Sequence, residues 1–88
     1  MLKYNVILLN NDYRLFDSKS GFKDFGKAVE WSAGRGDEYF VDIDTVIDNE
    51  IISTAHYCWK DGKFYELTMD GAMKQWMVTD NNEMRADK

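Results

Sequence analysis

Residues 37–67 read DEYFVDIDTVIDNEIISTAHYCWKDGKFYEL, and this stretch decides the fold class. Two dipeptides punctuate it, Asp48-Asn49 and Asp61-Gly62. Asn, Asp and Gly tolerate the left-handed backbone that a two-residue hairpin turn requires, so the stretch predicts three antiparallel strands in a meander. With two-residue turns, Ile47 pairs with Glu50, Val41 with His56 and Tyr39 with Cys58, while the second turn sets Trp59 against Phe64 and His56 against Leu67. Side chains alternate across a strand, so this register predicts two faces. One carries Tyr39, Val41, Ile43, Ile47, Ile52, Thr54, His56, Cys58, Tyr65 and Leu67 and reads as the core. The other carries Phe40, Asp42, Asp44, Val46, Ile51, Ser53, Ala55, Tyr57, Trp59, Phe64 and Glu66, a mixture of carboxylates and rings.

The same region holds the charge. From Gly36 to Trp59 there are six carboxylates (Asp37, Glu38, Asp42, Asp44, Asp48 and Glu50) and no lysine or arginine, in a chain of formal net charge −5. The remaining residues are close to balanced, so the acidity is a local feature. An acidic chain with singly scattered basic residues lacks the clustered cations that a phosphate backbone needs, which argues against direct nucleic-acid binding.

Working outward, Leu2–Leu9 and Tyr13–Phe16 flank Asn10-Asn11-Asp12 and predict an N-terminal hairpin. Asp17–Gly21 reads as a break in which Ser18 or Ser20 caps a following helix. That helix is expected from Phe22 to Ala33, with Phe22, Phe25 and Val29 on its apolar stripe and Gly34-Arg35-Gly36 as its stop. Met69, Met73, Trp76 and Met77 recur at helical spacing and predict a short second helix, with Asp70 as its cap; alternation through Lys74–Thr79 is the competing edge-strand reading. The expected architecture is a small α+β domain over residues 1–79, in the order ββ-α-βββ-α, with an antiparallel sheet packed on one main helix. Residues 80–88 are expected to form a polar, frayed tail.

Eighty-eight residues with 44% hydrophobic and 15% aromatic content suffice for one folded domain. The apolar run Val6–Leu9 is too short for a signal peptide, and nothing approaches the ~18 apolar residues of a membrane span. A single cysteine, Cys58, excludes an internal disulfide and suits a reducing compartment. The expected location is the cytoplasm.

Each constellation with chemical promise has a plainer alternative. His56 and Cys58 lie two apart on one strand, so their side chains start about 6.6 Å apart, too far for a Cys–His nucleophile pair; they read as a buried histidine and an inert thiol. Asp42 and Asp44 share a strand face, as magnesium-binding pairs do, but lack a third acid or a glycine-rich cradle nearby. The spacing of Asp42, Asp44 and Asp48 also fails the calcium-loop pattern. No metal site and no cofactor is therefore expected. Phe40, Tyr57, Trp59 and Phe64 would suit base stacking on an open sheet face, but the carboxylates beside them repel a phosphate backbone. Trp31, on the polar side of the first helix, is expected under a loop or at an interface.

The function expected from these features is non-enzymatic protein binding through Asp37, Glu38, Phe40, Asp42, Asp44, Tyr57, Trp59, Phe64, Glu66 and Trp31. The partner would be a protein with a basic surface, with no direct nucleic acid and no membrane. Carboxylates on alternate strand residues repeat at about 6.7 Å, near two phosphate steps of one DNA strand, so such a face can occupy a site built for nucleic acid. In general look the chain is similar to small phage-encoded inhibitors of host nucleases, which implies an inhibitor acting as a DNA mimic on a nucleic-acid-handling defence protein. The alternative is a small metal-dependent enzyme or ligand-binding domain using Asp42 and Asp44. An open edge strand, near Tyr13–Phe16 or at the end of the meander, would also allow a homodimer.

Overall fold

In the computed structural model, residues 1–70, 72–78 and 84–86 are described. The elements run β1 (Leu2–Leu9), β2 (Leu15–Phe22), α1 (Phe25–Ser32), β3 (Glu38–Ile47), β4 (Glu50–Lys60), β5 (Lys63–Leu67), β6 (Met73–Val78) and β7 (Met84–Ala86). The strands form one antiparallel sheet in the order β2-β1-β3-β4-β5-β6-β7. With one helix among the described residues, this small domain is roughly α+β and mostly sheet. None of its described helices is long and apolar enough to cross a membrane.

Both meander turns form where the sequence places them. Asp48 and Asn49 adopt φ of 51° and 68°, and Asp61 and Gly62 adopt 52° and 76°, the left-handed values of two-residue hairpin turns. Ile47 opposes Glu50, Trp59 opposes Phe64 and His56 opposes Leu67, all as expected.

Between the turns the expected register fails. Thr45 opposes Ser53 while Val46 opposes Ile51, so Ile52 is an extra residue on β4, a bulge. Beyond it every pairing moves by one: Val41 opposes Tyr57 rather than His56, and Tyr39 opposes Trp59 rather than Cys58. Because the side-chain period is two, this slip exchanges the faces of β4 relative to β3. The reason lies in what each alternative buries. An unbroken ladder would turn His56, Cys58 and Thr54 inward and leave Tyr57 and Trp59 in water, whereas aromatic residues bury roughly 150–250 Å² each. The bulge leaves Ile52, expected in the core, 55% exposed, and Ile47 is also exposed.

The core accordingly comprises Val6, Leu8, Tyr39, Val41, Ile43, Tyr57 and Phe64 from the sheet and Ala28 and Val29 from α1, with Tyr4, Phe22, Phe25, Trp31, Ala55 and Trp59 packed around it. Rings interlock across the helix–sheet boundary, with Phe25 met edge-on by Tyr4 at 5.6 Å and tilted against Tyr57 at 6.0 Å, while within the sheet Tyr57 stacks on Phe64 at 4.9 Å. A buried polar relay secures the helix C-terminus. The Trp59 indole donates to Ser32 Oγ (2.9 Å), Ser32 Oγ donates to the Val29 carbonyl (2.6 Å), and the Tyr39 hydroxyl donates to the Ser32 carbonyl (2.5 Å). These bonds satisfy groups whose burial unpaired would cost about 1–3 kcal/mol each.

Other local expectations are also corrected. Asp17–Phe22 continues β2 rather than breaking it, with Phe22 opposite Tyr4. The helix therefore starts at Phe25, and Asp24 caps it by accepting from the Lys27 amide, where Ser18 or Ser20 was expected. The second helix is absent: Met73–Val78 is a strand, with Leu67 opposite Met73 and Phe64 opposite Trp76. Helical spacing loses there because the outer side of β5 offers unpaired backbone groups that a strand satisfies and a helix does not. Of the tail expected to fray, Met84–Ala86 pairs with β6 as β7, and the rest lies outside the described residues. Among the described residues the terminal strands of the sheet are β2 and β7; β2 agrees with the edge expected near Tyr13–Phe16, whereas the end of the meander, β5, is covered by β6.

Candidate functional site

The sheet has two unlike faces. Direct pairing across the rungs places Ile7 and Leu9 of β1, Phe40, Asp42 and Asp44 of β3, Thr54, His56 and Cys58 of β4, and Tyr65 and Leu67 of β5 on the face away from α1. Among the described residues no second helix lies on that face.

Two polar rungs cross it. His56 Nδ1 lies 2.7 Å from Asp42 Oδ1, and the Thr54 hydroxyl donates to Asp44 Oδ1 at 2.6 Å. The pairs differ in access. Asp44 is only 8% exposed, so its charge is screened from a partner, whereas the His56 side chain is largely exposed and that of Asp42 partly so.

Beside the Asp42–His56 rung is a groove of about 320 Å³, walled by Leu9, Tyr13, Phe40 and Leu67 and completed by Asp42, His56 and Tyr57. The ring of Tyr13 stacks on that of Phe40, with centroids 4.7 Å apart and planes 13° from parallel. Tyr13 itself is 69% exposed and has φ of 60°, a left-handed conformation that is uncommon for a bulky side chain. Hydrogen bonds hold this turn in place: the Tyr13 amide donates to the Asn10 carbonyl, and Asn10 Oδ1 accepts from the amides of Asp12 and Arg14.

The residues anticipated as a binding surface are dispersed. Phe40, Asp42 and Tyr57 line the groove, and Asp44 lies on the neighbouring rung bonded to Thr54. Asp37 and Glu38 are exposed at the start of β3, with the Asp37 carbonyl accepting from the Asp61 amide and Glu38 opposite Lys60. Tyr57 and Phe64 are core, Trp59 packs against it, and half-buried Glu66 shares the Tyr57 rung. Trp31 is half-buried, packed against Phe22 and beneath the Arg35 guanidinium, 4.5 Å from its ring centre.

Conversely, Leu9, Tyr13, His56 and Leu67 belong to the groove and were not anticipated. His56 was legible in principle, because the consecutive isoleucines Ile51-Ile52 interrupt alternation where the bulge forms. Tyr13 carried no such signal.

Ionisation follows the same division. Burial pushes the Tyr57 hydroxyl up to about 12, aided by the Glu66 carboxylate and by Tyr4. Burial also raises Tyr39, against the opposing effect of Arg35. Cys58 is raised by burial and then by Glu38, which holds it as the weakly nucleophilic thiol. Among the described residues no group of three or more His, Cys, Asp or Glu side chains could hold a metal ion. What the groove offers is a hydrogen-bonding, negatively charged end set among apolar walls.

The chain matches no protein-family model, no curated protein and no solved structure. The reading of its function therefore rests on this geometry.

Proposed function

We propose that this protein is a non-enzymatic binding module that engages a protein with a basic surface through the helix-free face of its sheet. The observation that carries the reading is the groove at Asp42 and His56, set on a sheet face that no described helix covers. Its charged lining residue is Asp42, from the stretch with six carboxylates and no lysine or arginine, and this carboxylate favours a cationic partner over an anionic one. A nuclease or other nucleic-acid-handling protein, whose own working surface is basic, is the partner class this suits, and the module would then act as its inhibitor. The bonding of Asp44 to Thr54 moves the contact away from a regular ladder of carboxylates and toward Asp42 with its aromatic neighbours.

The test is capture from lysate with the full chain as bait, beside an Asp42→Arg variant checked for folding. A protein that the native chain holds at low salt, releases at moderate salt and that the variant fails to capture supports the reading. Equal capture by Asp42→Arg overturns it.

One observation favours a second reading. The groove volume falls at the lower end of the roughly 300–1,000 Å³ typical of small-molecule sites, so a small cationic or hydrogen-bonding ligand is the competing occupant. Stabilisation by such a compound, lost in Asp42→Asn, would favour that reading.

A further inference from the structure

We infer that the groove on the open face receives an arginine side chain of the partner, an inference that rests on the protein-binding reading above. Three features of the groove converge on a guanidinium.

The first is its acceptor set. An ionised carboxylate only accepts hydrogen bonds, so the 2.7 Å contact between Asp42 Oδ1 and His56 Nδ1 requires the proton on Nδ1. That contact fixes the ring beside the carboxylate. Asp42 keeps its second oxygen. The site thus presents a carboxylate held in place from one side with an oxygen still to engage, and the planar guanidinium supplies several N–H donors in a fixed fork.

The second is the wall. Tyr13 and Phe40 are stacked 4.7 Å apart, nearly parallel, and offer an aromatic surface on which a guanidinium can lie. Leu9 and Leu67 would cover the methylene stem. Lysine matches this less well, being a compact, strongly hydrated charge with no plane to stack. Tyr13 holds its position despite left-handed backbone, and local strain kept in place by surrounding bonds is characteristic of functional positions.

The third is charge. The side chains of Lys27 and Arg35 pair with Glu30 and Asp17, and the Asp42 carboxylate meets the His56 ring. The Asp42 carboxylate thus has no lysine or arginine beside it among the described residues, and an incoming guanidinium supplies that cation.

The experiment is an NMR titration of the full chain with Nα-acetylarginine amide and, in parallel, Nα-acetylcitrulline amide, which has nearly the same shape without the charge. The inference expects saturable shifts at Phe40, Asp42 and His56 with the arginine probe. It expects roughly tenfold weaker binding of the citrulline probe, since hydrogen bonds to charged groups are about twice as strong as neutral ones. The arginine response should be lost in Asp42→Asn; should that variant fail to fold, Phe40→Leu, which keeps an apolar wall without the aromatic plane, should weaken the arginine response, and an unchanged response would overturn the inference. Equal binding of the two probes, or shifts confined to other surfaces, overturns the inference. Asp42-dependent capture of a partner with no response to the arginine probe overturns this inference alone. Absence of both effects overturns the binding reading as well.

Discussion

The covered and open faces of the sheet are built from the same strands, residue by residue in alternation, yet they do different work. On the covered face Val6, Leu8, Val41, Tyr57 and Phe64 are nearly or wholly removed from water by one another and by α1. On the open face the neighbouring residues Leu9, Phe40 and Leu67 stay half-buried around a groove, and the polar side chains pair across strands instead of joining a core. The covered face should therefore hold the stability and the open face the recognition, a division that substitutions can break.

The largest effect is expected from truncating a ring on each face. Phe64→Ala empties a site that is 2% exposed and should cost about 3–5 kcal/mol, whereas Phe40→Ala on the open face should cost well under half of that. Urea denaturation of the two variants measures the difference; equal losses would mean that the open face is part of the core.

A smaller effect is expected at high pH. The Tyr57 hydroxyl is raised from 10.0 to about 12, so the folded state holds this proton more tightly than the unfolded state does. That contribution is complete below pH 10 and is lost as pH rises from 10 towards 12. Denaturation midpoints of the native chain should fall over that range more steeply than those of Tyr57→Phe. Parallel profiles would show that Tyr57 is not shielded.

The smallest effect on stability, joined to a full effect on binding, is expected for Tyr13→Gly. Glycine relieves the left-handed backbone at little steric cost, which offsets the lost contact with Phe40, so the melting temperature should barely move. Response to the arginine probe should nevertheless disappear with the groove wall. A variant that melts far lower would place Tyr13 among the structural residues.

Much of the architecture was legible because it is encoded locally. The Asp48-Asn49 and Asp61-Gly62 turns specify left-handed backbone directly, and the helix showed its stripe at Phe25 and Val29. Of the candidate site's lining, Phe40, Asp42 and Tyr57 were legible. Its other walls come from Leu9 on β1, Tyr13 in a turn and Leu67 on β5, segments that no local pattern joins. Tyr57, Trp59 and Phe64 were grouped correctly with one another but assigned to the wrong side, since a single bulge residue, Ile52, reverses a whole strand.

By itself, then, the sequence determined the meander, its two turns, the position of the helix and the concentration of acid between Gly36 and Trp59, because turn chemistry, periodicity and charge act over a few neighbouring residues. Tertiary structure decided which side of β4 faces the helix, that Met73–Val78 is a strand, and that His56 meets Asp42 beside the Tyr13–Phe40 stack. Those outcomes depend on burying the largest rings under one helix and on pairing the free edge of β5, terms that come into play only when distant segments meet.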